Sequence, residues 1–202
     1  MIFGQDRYNK FSMLLHWTVA ILVLVLICLG MFMHDIPKGD PDRAFFFNLH
    51  KSIGVTAGLI MFVRLWWRHK NPPPPLPSSI PRWQVFMSKL SHGLLYVCLI
   101  GMPIIGFSAS QFTKYGVTYF GLFKIPPMGS NNPELRDFLQ SIHHDLSYFL
   151  MGLIVVHVLA AMYHRFVLRD GVVGGCSPKF RNGYGNWYVC IIFGIRSYWP
   201  RT

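Results

Sequence analysis

The chain has 202 residues, 52% hydrophobic and only 13% charged, with a net charge of +11. So apolar a composition excludes an ordinary soluble domain of this size and makes nucleic acid an unsuitable partner despite the positive charge. It predicts an all-α integral membrane protein: stretches at about 12–33, 46–68, 86–109 and 141–163 each reach the roughly 20 apolar residues that cross a bilayer.

In chain order, the first span carries His16 near its start and Gly30 near its end. That histidine, and the lack of a small-residue cleavage site after the span, argue against a signal peptide. The loop HDIPKGDPDR follows, mixing Asp35, Asp40 and Asp42 with Lys38 and Arg43. Span two holds His50, Gly54, Gly58 and Arg64, and NPPPPLPSSIPRW (71–83) then forms a stiff polyproline-like connector. Span three contains Gly101, Pro103 and Gly106, which predict a kink and close packing; His92 lies next to Lys89, near the membrane surface. Ser110 to Pro133 reads as an outer loop, with aromatic residues suited to a short interfacial segment. Span four is SIHHDLSYFLMGLIVVHVLA and its neighbours, with His143, His144 and His157.

The bundle domain is placed at 1–171 and an atypical tail at 172–202. The tail's apolar core WYVCIIFGI is too short to span, leaving an interfacial element, disorder, or a shifted reading frame. The last is open because CGGCGGATGCTCCC, which encodes Arg-Arg-Met-Leu-Pro, reads one base later as the Gly-Gly-Cys-Ser-Pro found at residues 174–178. Lys and Arg gather before span one, between spans two and three, and after span four, which places both termini in the cytoplasm. Cys28 and Cys98 lie in spans and Cys176 and Cys190 in the tail; without a C-x-x-C-H motif, nothing supports covalent haem attachment.

A histidine inside a span is a functional hypothesis by default, against the bland alternative of packing or capping. His143 and His157 are 14 residues apart, so they share a helix face about 21 Å apart along the axis, whereas His144 falls nearly opposite His157. Counting inward from the flanking charges sets His16 level with His157 at the cytoplasmic side, and His50 level with His143 at the outer side. Two such pairs are what two bis-histidine haems in a four-helix bundle require. Arg64 follows His50 by 14 residues, which suits either a haem propionate partner or a snorkelling anchor. Gly30 follows His16 by the same step and Gly54 follows His50 by one turn; both offer room for a macrocycle or for ordinary packing. His164, seven residues beyond His157, shares its face but sits at the membrane surface. Zinc would want three or four ligands at one level, and a transporter would want intramembrane acids, of which only Asp145 lies near a span's inward end.

With these residues placed, the chain resembles the bacterial cytochrome b561 family of diheme membrane proteins. The matching motifs are LLHW (14–17), NLHKSIG (48–54), MFVRLWWR (61–68), LSHGLLY (90–96), GMPIIG (101–106), S-x-H at 141–143, VH at 156–157 and YHRFVLRDG (163–171). The resemblance covers about residues 5–171. It implies two non-covalent b-type haems on His16, His50, His143 and His157, in the inner membrane of a bacterium. It further implies electron transfer with the quinone pool of the respiratory chain, ubiquinone being the expected substrate. Some members are similar to superoxide oxidases, and an outer rim of Lys38, Arg43, Lys114, Lys124 and Arg136 would attract that anion, although Asp35, Asp40, Asp42, Glu134 and Asp137 share the rim. The alternative is a cytochrome b subunit anchoring a soluble dehydrogenase or hydrogenase; a non-redox transporter or scaffold is the third class. Trp17, Arg64, Tyr148 and His164 are positional candidates for a quinone pocket.

Overall fold

The computed structural model describes residues 9–72, 80–168, 179–181 and 187–189. Its body is four helices: α1 (Lys10–His34), α2 (Arg43–Lys70), α3 (Arg82–Gln111) and α4 (Pro133–Met162). All four are long and apolar enough to span a membrane, so the expected all-α four-span bundle is present, with both ends of the bundle on one side and only short strand pairs outside it. Each helix outruns the span expected from hydropathy, most of all α4, which begins at Pro133. Apolar runs mark only the hydrocarbon depth, whereas polar caps set the helix ends. The Asn9 side chain accepts from the Phe11 amide, and Asn132 accepts from the Leu135 amide with Pro133 in the first turn.

The outside of the bundle is apolar, as a lipid-facing surface must be: Leu14, Ile21, Leu24, Leu59, Phe62, Val97, Val155 and Leu159 are all exposed. Inside, Val19, Val23 and Met61 form one cluster and Leu95, Cys98 and Leu150 another, with Leu99 and Ile154 packed against both. Close backbone seams run between α1 and α2, α2 and α3, and α3 and α4; among the described residues no comparable seam joins α4 to α1 or α2. The α3 helix continues through Pro103. Its ring fits because Gly58 of α2 faces it, where a Cβ would stand 3.0 Å away.

The loop between α3 and α4 holds a hairpin of β1 (Val117–Tyr119) and β2 (Phe123–Ile125), where the sequence suggests only an interfacial segment. It is fastened to a polar stripe on α2. The Ser52 hydroxyl accepts from the Phe120 amide at 2.9 Å, Lys51 Nζ donates to the Gly116 carbonyl at 3.2 Å, and Thr56 meets the Tyr119 hydroxyl at 2.9 Å. Gly116 has positive φ, and a Cβ there would lie 2.4 Å from the Ile125 carbonyl oxygen, so only glycine closes the base of this hairpin.

Beyond α4, residues Tyr163–Leu168 form a π-helical turn. In the tail, strands Lys179–Arg181 and Trp187–Val189 pair antiparallel; Cys176, Cys190 and the rest of the segment lie outside the described residues.

Candidate functional site

At the outer level His50 of α2 and His143 of α4 meet edge to face, ring centroids 6.4 Å apart and planes at 73°. Two imidazoles that ligate one metal from opposite sides through bonds of about 2 Å have centroids roughly 6 Å apart, so this spacing fits a shared iron. Both Nδ1 atoms are buried; that of His50 has no partner, whereas the His143 ring lies against the Met102 carbonyl, off ideal hydrogen-bond geometry. Burying an orphaned polar atom costs about 1–3 kcal/mol, which a fold tolerates where the group has work to do. Each ring also abuts a glycine on a facing helix: a Cβ at Gly30 would lie 3.4 Å from His50 Cε1, and one at Gly106 would lie 3.0 Å from His143 Cε1. Paired imidazoles, their spacing and walls without side chains all fit a b-type haem.

At the inner level His16 of α1 lies within electrostatic reach of Arg64, His157 and His92. The ring packed on His157 is that of His92, at 5.2 Å and 87°, rather than His16. The His92 Nδ1–H donates to the Ser88 carbonyl at 2.7 Å, which fixes its tautomer and orientation. Lys89 beside it suggests a surface position, but α3 starts at Arg82, which sinks His92 nearly three turns into the helix. Arg64 donates from Nε to the Tyr96 hydroxyl at 3.3 Å.

The two levels follow one rule on all four helices, a step of seven residues. It links His16, Val23 and Gly30 on α1, and His50, Ala57 and Arg64 on α2. It links His92, Leu99 and Gly106 on α3, and His143, Leu150 and His157 on α4. Seven residues close two turns in a left-handed bundle, so each set stays on one face. Val23, Ala57 and Leu150 are buried and Leu99 is half-buried, which makes an apolar layer about 10 Å from either level. The α3 members His92 and Gly106 were identifiable from the same 14-residue step that picks out the other three helices.

Other expected site residues fall elsewhere. Gly54 has Leu26 of α1 nearest to it, at 4.0 Å, and Gly58 faces the Pro103 ring at 3.0 Å, a packing contact. His144 points out: its side chain is 55% exposed, 3.9 Å from Asp145 and edge-on to Tyr148. Tyr148 is thus on the outer surface of α4. Trp17 is exposed and packs edge-on to His16 at 5.3 Å. His164 lies in the π turn that follows α4, its ring edge-on to Tyr163 at 6.1 Å. On the rim Arg136 is paired with Asp137 at 2.8 Å, and Arg43 is turned to the Ile36 carbonyl and the Phe47 ring. Among the described residues no group of three or more His, Cys, Asp or Glu converges on a point where a metal ion would sit.

Comparison with known proteins points the same way. A family model described as prokaryotic cytochrome b561 matches residues 7–175. Cytochrome b561 homolog 2 of Escherichia coli (strain K12) is 30% identical over 181 residues, 89% of this chain and 96% of that one. Cytochrome b561 homolog 1 of the same strain is 24% identical over 178 residues, 87% and 99% of the two chains. A protein of Yersinia pestis described as probable superoxide oxidase CybB is 27% identical over 180 residues, 88% and 99%. With four membrane-spanning helices and paired histidines in its interior, the chain belongs to the prokaryotic cytochrome b561 family, as a multi-pass, b-type haem electron-transfer protein of the bacterial inner membrane.

Proposed function

We propose that the protein holds two b-type haems, an outer one on His50 and His143 and an inner one on His16 and His157, and carries electrons from a donor at the periplasmic face to ubiquinone. The observation that carries this reading is the outer pair: two buried imidazoles from different helices, ring centroids 6.4 Å apart, each against a glycine of a facing helix. The inner site is supported by the meeting of His16, His92, His157 and Arg64 at one level. Bound haem supplies a reversible one-electron couple at each level.

The chain's own residues set the conditions. Gly30 and Gly106 keep the outer rings free of neighbouring side chains, and His92, fixed by Ser88, buttresses His157. Arg64, steadied by Tyr96, offers a guanidinium to an inner haem propionate. Val23, Ala57, Leu99 and Leu150 keep water out between the levels. Superoxide is the candidate donor, supported by similarity to the protein described as a superoxide oxidase. In that case two superoxide anions each give up one electron and leave as dioxygen, while one ubiquinone takes both electrons and two protons.

The test uses the isolated chain in liposomes containing ubiquinone. About two haems per chain with bis-histidine spectra, and quinone reduction on exposure to superoxide, are expected. A colourless preparation from haem-replete cells would reject the reading. Haem-loaded protein that reduces quinone only once a soluble dehydrogenase or hydrogenase is supplied would make it the anchor subunit of such an enzyme.

A further inference from the structure

Ser52 and Thr56, which fasten the hairpin to α2, lie one turn apart on one stripe of that helix. Seven residues beyond each, the stripe continues as Leu59 and Val63, both exposed on the lipid-facing surface. The hairpin therefore covers the outer part of a face whose inner part meets acyl chains. Without it the hydroxyls of Ser52 and Thr56 would be presented to hydrocarbon, where an unpaired polar group is costly.

The contacts also fix how deep the hairpin reaches. The apolar part of α2 begins near residue 46, so Ser52 lies about 9 Å and Thr56 about 15 Å inside a hydrocarbon layer roughly 30 Å thick. Ser52 holds the Phe120 amide, and Thr56 meets the Tyr119 hydroxyl. The turn thus points into the membrane, deeper than its aromatic composition alone suggests. Leu122 at its tip is 78% exposed, and Phe120 and Phe123 beside it are exposed too, each packed on the Tyr119 ring, at 4.8 and 5.2 Å. Non-helical backbone survives at such depth only where its polar groups are paired. The two strands pair with each other, and the outer edge of β1 is met by α2: Asn48 Oδ1 accepts from the Thr118 amide at 3.5 Å, and Ser52 Oγ lies 3.2 Å from the Thr118 carbonyl.

We propose that this hairpin is a wedge inserted into the periplasmic leaflet, with Phe120, Leu122 and Phe123 immersed among phospholipid acyl chains and Lys124 reaching back to the lipid phosphates. Lys124 stands opposite Thr118, one pair nearer the surface than Tyr119 and Phe123, and its long stem lets the ammonium snorkel outward. The placement depends on α2 and its lipid-facing stripe alone, whatever the histidines hold.

The experiment introduces the photo-cross-linker p-benzoylphenylalanine in place of Leu122 or, as a control in the exposed loop between α1 and α2, of Lys38, and illuminates the protein in liposomes of phosphatidylcholine and phosphatidylglycerol. Intact mass should show adducts of one phospholipid at position 122 and almost none at 38. Equal lipid labelling at both positions would overturn the proposal, and so would cross-linked dimers from position 122, which would give the tip to a second copy of the chain. In the same liposomes Leu122→Asp should speed amide exchange across Val117–Ile125, whereas Leu122→Phe should preserve protection. A Leu122→Asp hairpin that exchanges as slowly as wild type would place the turn in water and overturn the wedge.

Discussion

His143 and His144 are neighbours in the chain and end in opposite surroundings. One hundred degrees of helix rotation sets the first between Gly106 and His50 and the second beside Asp145, 55% exposed. His143→Ala is therefore expected to remove about half the haem per chain and His144→Ala none, read from the haemochrome spectrum against protein concentration. Glycine gives a second, independent check. Gly106→Leu should lower haem content about as far as His143→Ala, because its Cβ alone would stand 3.0 Å from the imidazole. Gly54→Ala, with nothing nearer than Leu26 at 4.0 Å, should leave the spectrum intact and steady α2 by up to about 1 kcal/mol. Helical phase made the histidine stripe legible in the sequence, and it separated His143 from His144. The same phase marks His92 and Gly106 on α3, but the adjacent Lys89 mimics a membrane surface and hides His92's depth. Phase did not separate Gly54 from Gly30, since the glycine pattern reads the same whether the facing residue is a ring or a leucine.

Elements were legible where hydropathy governs them and hidden where single polar contacts do. The four spans follow from apolar length, but their ends follow from caps such as Asn9 and Asn132, which lie outside the apolar windows. The hairpin has strands of only three residues, too short to leave an alternating pattern, and owes its place to Asn48, Lys51, Ser52 and Thr56 on another helix. Ser52 is the centre of that attachment, fully buried while its hydroxyl also donates to the Asn48 carbonyl at 2.7 Å. Ser52→Ala should leave the Phe120 amide without its acceptor at a cost of about 1–3 kcal/mol. The expected signs are faster amide exchange across Val117–Ile125 and earlier cleavage at Lys124 by trypsin, with haem absorbance unchanged. The π turn had no sequence signal, since the α and π forms of YHRFVL differ only in how the last carbonyls are shared.

For the molecule as a whole, the layer of Val23, Ala57, Leu99 and Leu150 divides the interior into two storeys. Leu150 is the one buried residue of α4. Leu150→Ala should leave a void in that layer and destabilise the protein by about 2–5 kcal/mol, seen as a lower thermal midpoint at unchanged haem stoichiometry. The same helix contributes a histidine to each storey, yet its close backbone seam is with α3 alone. It is attached along one edge, like a door hung on a single post. Ligation from α2 and α1 would be the latch, and tight binding to the folded state alone adds stability in proportion to the logarithm of ligand supply. Newly made chains in haem-starved cells would thus present an unlatched fourth helix to membrane proteases, so the amount of this cytochrome should be metered by porphyrin synthesis as well as by its gene.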